Sequence, residues 1–377
     1  MIRVLNIVES ITYGGVERRR LSLAKMLNKE EFELKIICTH YRGEIPERIK
    51  DCGVEVIAVG KLKNIFDWEK HKKVISVIRE FQPHIVHGAV FEGVTMATVS
   101  SVFCRVPVLI IEETSDPQNR SWRGNLLMRL FSFFADAVVG VSHASTNYLT
   151  ETLKISPKKV HLISNGVAIP REVSEKESEQ LKATLGIAAE KIIIGSVGRM
   201  INDNTKRFSD LIKAFEMLIR KGLNVHLVLV GDGPEKGKYK RLVQQLNIEK
   251  SVTFEGYQDD TAKYYAIFDV FSLVSAHESF GLVLAEAMLS KVPIVATKVG
   301  GMQYIVDHEK TGYLVEKQNV VEIAQKLEIL CNTESLRTEM GKAGYQKAMG
   351  NYTEEQYVKR VKTLYSELLK KKKIANI

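Results

Sequence analysis

The chain has 377 residues, of which 45% are hydrophobic and 26% charged, an ordinary globular balance with material for two or three cores. Its formal charge of +9, from 54 basic against 45 acidic residues, favours anionic partners such as nucleotide-linked phosphates, nucleic acid or anionic lipid. Cys38, Cys52, Cys104 and Cys331 stand far apart with no C-x-x-C pair, which excludes a disulfide frame or a zinc cluster as the organising feature, and no stretch reaches the ~18 apolar residues of a membrane span.

From the N-terminus, MIRVLNIVES begins directly as a strand. No basic segment precedes a long apolar run, so a signal peptide is not expected and a cytoplasmic location is. Short β-branched runs then alternate with helical patterns: RVLNIVES, LKIICTH, VEVIAVG, HIVHGAV, VPVLIIE, AVVGVS and VHLISNG in the first half. IIIGSVGR, VHLVLVG, VTFEGY, VFSLVS, PIVATKVG and GYLVE follow in the second. Runs apolar nearly throughout are strands buried on both faces, and helices between them imply parallel βαβ units. The fold class expected is α/β, with two doubly wound, Rossmann-like domains facing each other across a cleft.

Gly166 and Pro170 break structure in NGVAIPR, and the polar stretch EVSEKESEQ follows. The expected division is 1–168, an N-terminal domain; 169–352, a C-terminal domain; and 353–377, a C-terminal helix packing back toward the first domain. Ligands of open parallel sheets sit at the carboxyl ends of strands, so the residues just after each strand are the candidates for chemistry.

In the second domain, IIIGSVGR ends in Arg199, and Lys206 follows near a helix start. Cations there oppose the helix dipole. They make sense if a diphosphate lies between them, gripped by the Arg fork and the Lys point charge. GDGPEK at 231–236 is a loop signal after a buried strand, and Lys236 breaks the dinucleotide fingerprint G-x-G-x-x-G. That failure disfavours a nicotinamide enzyme. HESFGLVLAEAM at 277–288 reads as a strand-to-helix loop and a helix from about Phe280 to Lys291. Free amides near Gly281 and Leu282 favour an anion. Glu278 and Glu286 would serve hydroxyl-rich groups on either side of it. No D-x-D occurs in the chain; the cations and the helix start stand in for a metal on the diphosphate.

Arg199 with Lys206, GDGPE, the E-x₇-E spacing of Glu278 and Glu286, TKVGGMQYIVDHEKTGYLV at 297–315 and GGVER at 14–18 together resemble the retaining nucleotide-sugar glycosyltransferases of family 4, of GT-B fold (glycosyl transferases group 1). The resemblance covers essentially the whole chain. It implies that Arg199, Lys206 and Glu278 form the catalytic set, with the cations on the donor diphosphate and Glu278 on the transferred sugar. Glu286 would hold the ribose, and Phe280, Gly281 and Leu282 would supply backbone donors. Gly231 would belong to the donor site, the base would stack near Phe254 and Tyr257, and Gly14 and Gly15 would close over the diphosphate from the facing domain. The family often carries a histidine in a first-domain loop where this chain has Glu112, Glu113, Thr114 and Asp116, and Gln303 stands where an acid is common. His87, Glu113, Asp116 and His143 are the candidates for the acceptor side. No cofactor or metal is implied, since the nucleotide-sugar is a substrate. A UDP-sugar is the expected donor, GDP-sugars the runner-up.

Residues 119–134 place Trp122, Leu126, Leu127, Leu130, Phe133 and Phe134 at near-helical spacing with Arg120, Arg123 and Arg129 interleaved. With Arg18–Arg20 and Lys370–Lys373 they suggest peripheral attachment to an anionic membrane and a glycan or lipid-linked acceptor. A core helix with solvated arginines is the plainer alternative. No nucleic-acid motif is evident. A sugar-nucleotide-binding protein without catalysis is the main competing reading.

Overall fold

Every apolar run named above lies on a strand in the computed structural model, which describes residues 1–12, 14–114 and 120–374. The chain divides into two compact units: Met1–Val167 together with the segment from Glu354 on, and Ala168–Thr353. Both are parallel α/β sheets.

The first unit contains β1 (Ile2–Ile7), β2 (Ser10–Ile11), β3 (Phe32–Cys38), β4 (His40–Tyr41), β5 (Glu55–Ala58), β6 (Ile85–Ala89), β7 (Val108–Glu113), β8 (Ala137–Gly140) and β9 (Val160–Leu162). Seven of them form one sheet in the order β5-β3-β1-β6-β7-β8-β9, and β2 pairs with β4 beside it. β1 is central, with Val4 opposite Leu34 on one side and Ile85 on the other. Period-two alternation sends successive side chains to opposite faces, so each face has its own core. Val4, Ile36, Ile85 and Ile110 pack beneath α1 (Gly15–Met26), α2 (Glu44–Asp51) and the C-terminal helix Glu354–Lys371. Leu5, Ile37, Val86 and Ile111 pack beneath α3 (Trp68–Phe81), α4 (Val90–Cys104) and α5 (Trp122–Phe134).

The C-terminal helix is held to this unit by Tyr357, Val361, Leu364 and Tyr365 in the first of those cores. One expectation is overturned here. Of Arg18–Arg20, only Arg18 is exposed; Arg19 and Arg20 are 1% and 0% exposed. Both pair with Glu112 at the end of β7, Arg20 at 2.7 Å. The ion pairs face inward because α1 turns these two positions onto the sheet, so Arg19 and Arg20 are not available to a membrane.

The second unit contains β10 (Ile192–Val197), β11 (Val225–Val230), β12 (Val252–Gly256), β13 (Val270–Leu273), β14 (Ile294–Thr297) and β15 (Gly312–Val315), in the order β12-β11-β10-β13-β14-β15. One face of its core joins Leu227, Leu229 and Val270 to Phe208, Leu211 and Phe215 of the helix Phe208–Arg220. The order reverses between β10 and β13, and such a switch point is where open sheets hold their ligands.

Candidate functional site

The loops leaving β10 and β13 carry the two groups of residues singled out in the second half of the sequence. After β10 the chain passes Arg199, turns, and forms the short helix Asp203–Lys206. After β13 it passes His277 and Glu278 and enters the helix Leu282–Leu289. A backbone bond from the Ala276 amide to the Thr205 carbonyl (2.8 Å) ties the two loops together. The result is direct contact: Lys206 Nζ lies 2.5 Å from Glu278 Oε2, each side chain only 18% exposed. Arg199, exposed at the strand end, makes no ion pair among the described residues.

Neighbouring side chains anchor the short helix that carries Lys206. Asp203, one turn earlier, accepts from the Ser209 hydroxyl and amide (2.5 and 3.2 Å) and from the Tyr239 hydroxyl (3.0 Å). Burial opposes the charge on Asp203, but these donors prevail and hold its carboxyl below the usual range. The GDG turn braces the same loop. The Met200 amide donates to the Asp232 carbonyl (2.9 Å), and a Cβ on Gly231 would fall 2.0 Å from the Gly198 oxygen. Gly231 is therefore needed for close packing behind Arg199.

The helix Leu282–Leu289 is shorter than the sequence pattern predicts, because Gly281 caps it and Ser290 ends it. Among the described residues no side chain caps its first amides, which leaves them as donors for an incoming group. Phe280 is 3% exposed and packs edge-to-face on Tyr352 (5.7 Å), which makes its ring an anchor for the loop. Leu282 is half-buried. Glu286, one turn into the helix, is half-buried and accepts from the Tyr265 hydroxyl at 2.9 Å. Behind the loop, Gly300 has φ +48°, and a Cβ there would lie 1.9 Å from the Glu278 carbonyl oxygen. The Gln303 amide donates to the Gly300 carbonyl (3.1 Å), giving the residue at this position a bracing contact. Gly300→Ala is expected to displace the Glu278 loop, costing about 1–3 kcal/mol of backbone strain and weakening donor binding; thermal unfolding and nucleotide titration of the variant check both.

Two residues expected near a nucleobase sit differently from each other. Phe254 packs against the core of the unit with Lys240 over its ring at 5.9 Å. Tyr257 is 51% exposed, its hydroxyl donating to Asp259 (2.7 Å).

The first unit holds the remaining candidates. Gly14 caps α1 and Gly15 begins it. His87 is buried, with Nδ1 2.9 Å from the Tyr365 hydroxyl and Nε2 3.4 Å from Glu112. Burial pushes its pKa down, against the pull of Glu112. Sealed in this way, it braces the sheet against the C-terminal helix and has no surface to offer an acceptor, contrary to expectation. His143 is exposed at the start of the short helix His143–Asn147. Asp116 lies outside the described residues. Glu113 lines a cavity of about 100 Å³ with Val90, Thr114 and Arg120, and Arg120 Nη2 lies 2.5 Å from its carboxylate. Val90, the first residue of α4, has φ +64°, a costly conformation for a β-branched residue that persists only where surroundings enforce it.

Sequence reasoning missed Tyr265, Asp203, Tyr239 and Val90, and it read Arg120 as a membrane-facing cation, whereas its side chain is 13% exposed and pairs with the buried Glu113. None stands in a motif; each acts through a contact that only the fold creates. Among the described residues, no group of three His, Cys, Asp or Glu is placed to hold a metal ion, and no helix is long and apolar enough to cross a membrane.

Two family models account for most of the chain: Glycosyltransferase Family 4 over residues 13–171 and Glycosyl transferases group 1 over residues 177–347. The N-acetyl-alpha-D-glucosaminyl L-malate synthase of Bacillus anthracis is 33% identical over 253 residues, which are 67% of this chain and 65% of that protein. The capsular polysaccharide biosynthesis glycosyltransferase CapM of Staphylococcus aureus is 24% identical over 314 residues, 79% of this chain and 80% of its own. Anabaena HepE, crystallised with UDP-glucose, superposes with a TM-score of 0.86 at 21% identity, covering 97% of this chain and 100% of its own; at that identity the likeness is one of fold. The chain belongs to the group 1 glycosyltransferases of family 4, proteins of GT-B fold.

Proposed function

We propose that this protein is a retaining, metal-independent glycosyltransferase. It moves a sugar from a nucleoside-diphosphate donor, a UDP-sugar, to a glycan or lipid-linked acceptor at the cytoplasmic face of a membrane, in cell-surface polysaccharide or glycolipid assembly. The contact between Lys206 and Glu278 at the strand-order reversal carries the reading. It pairs a cation suited to phosphate with an acid suited to sugar hydroxyls, beside a helix start that carries no side-chain cap. The names of the CapM relative and the UDP-glucose complex of HepE support the pathway class and the donor.

In this mechanism the bond from the anomeric carbon to the β-phosphate oxygen breaks and nucleoside diphosphate departs. The acceptor oxygen bonds to the same face of that carbon, and its proton passes to the leaving phosphate. Arg199, Lys206 and the first amides of the helix offset the charge that develops on the diphosphate. Glu278 and Glu286 position the sugar and ribose hydroxyls. The cavity holding Glu113 and Arg120 is the acceptor-side candidate.

Thermal-shift titration with UDP- and GDP-sugars tests the donor, and single-turnover release of nucleoside diphosphate in the presence of acceptor separates transfer from mere binding. Glu286→Ala is expected to weaken donor binding roughly 10–100-fold, the value of about 1.5–3 kcal/mol for a hydrogen bond to a charged group. The fold should survive, since the residue is only half-buried. Unchanged affinity would remove Glu286 from the site.

A further inference from the structure

The outer face of α5 is the most anomalous surface of the first unit. Trp122, Leu126, Leu130, Phe133 and Phe134 are 69%, 61%, 52%, 77% and 46% exposed. At this spacing they form one stripe, while Met128 and Phe131 fill the core from the other side. The helix is thus apolar both inward and outward, which a solvated surface helix is not. The stripe does not end at α5. Phe103 at the end of α4 and Trp68 at the start of α3 meet edge-to-face at 5.7 Å, and Phe66 beside them is 81% exposed. Between the three helices runs an open groove of about 590 Å³, its lining apolar but for Thr98 and the buried His71. A contiguous apolar surface of this kind marks a docking face.

Charge identifies the occupant. No residue of α5 is acidic, and Arg123 and Arg129 are exposed on it. Arg79 lies over the Phe103 ring at 5.7 Å and Arg123 over Trp122 at 5.4 Å. Lys63, Lys72 and Arg105 are exposed on the adjoining segments, against exposed Glu69 and Glu80. Aromatic side chains among basic ones match the boundary of an anionic bilayer, where rings enter the acyl region and cations meet headgroups.

We propose that the groove between α3, α4 and α5 docks the protein on an anionic phospholipid bilayer and takes acyl chains between Trp68, Phe103 and Phe134. This deepens the membrane part of the reading above and rests on it, but not on the donor chemistry. The sequence pattern pointed to α5 alone; α3 and α4 complete the face. Of the basic segments named with it, Lys372 is tied to Asp136 at 2.7 Å.

The two tryptophans of the chain, Trp68 and Trp122, both lie on this face, so intrinsic fluorescence reports on it directly. Vesicles of equimolar phosphatidylglycerol and phosphatidylcholine with brominated acyl chains should quench that fluorescence, pure phosphatidylcholine much less. The double variant Leu126→Asp/Phe133→Asp should bind the anionic vesicles at least roughly tenfold more weakly, the factor that even one large apolar side chain withdrawn from water supplies. Its unfolding temperature and nucleotide affinity should not change, since both positions are exposed. Those two controls keep a failure here distinct from a failure of the donor site. Absence of quenching by anionic vesicles, equal quenching by neutral ones, or undiminished binding by the variant overturns the proposal. So does concentration-dependent self-association without vesicle binding, which would mean that a second copy covers the face.

Discussion

Lys206→Ala is expected to lower kcat by roughly 10²–10³-fold, the effect of removing one group that stabilises developing charge. The ammonium already touches Glu278 at 2.5 Å, so an arriving diphosphate competes with a carboxylate for it. This makes Glu278→Gln the informative companion. The amide keeps the shape of the side chain but releases Lys206 from its counter-ion. Nucleoside diphosphate alone should bind the Gln variant at least as tightly as the native protein, while transfer of sugar falls. In Lys206→Ala both binding and transfer should fall. Neither change should unfold the protein, because neither side chain belongs to the hydrophobic core of the unit. Isothermal titration with nucleoside diphosphate and single-turnover transfer separate the two outcomes. Equal losses of diphosphate binding in both variants would mean that Glu278 supports the phosphate site and not the sugar.

The sheets were legible in the sequence because a parallel strand buried on both faces must be apolar throughout, and VHLVLVG or VPVLIIE fits nothing else at that length. The site loops were legible for a related reason: Arg199, Lys206 and Glu278 are polar groups placed just where buried strands end. Contacts between distant parts of the chain were not legible. Arg19 and Arg20 read as exposed cations at a helix start, since their partner Glu112 lies over 90 residues away. His87 reads as a strand-end histidine until Tyr365, far along the chain, is seen to bond it. Gly300 looks like half of a loop signal, and only the fold reveals the Glu278 carbonyl in the space its side chain would need. Propensity and periodicity carry local information; the bracing of a site is long-range.

Replacing Glu112 is expected to be the most damaging single change in the first unit. Two guanidiniums share this one carboxylate, all of it buried, with Tyr357 accepting a further bond from Arg20 at 3.2 Å. Glu112→Gln leaves two like charges without a counter-ion, which costs about 3–5 kcal/mol where a buried pair is broken. That is a large part of the 5–15 kcal/mol that typically holds a domain together. Arg20→Met should cost less, because Arg19 and Glu112 then remain as a neutral pair. The triple replacement Arg19→Met/Arg20→Met/Glu112→Leu should recover much of the loss, since apolar side chains of similar size need no partners. Acid provides a second readout. Burial opposes the charge on Glu112, but Arg19 and Arg20 outweigh it and hold the carboxyl well below its ordinary value of 4.5. A carboxyl depressed in the folded state adds stability that is complete above about pH 4.5 and fades as pH falls from there toward the folded value. His87, kept neutral by burial, adds a separate loss below its ordinary value of 6.5. The gap in stability between the native protein and Glu112→Gln should therefore narrow below about pH 4.5. Urea unfolding across that range measures it. A gap that stays constant, or Arg20→Met proving as harmful as Glu112→Gln, would show that packing and not charge holds this cluster together.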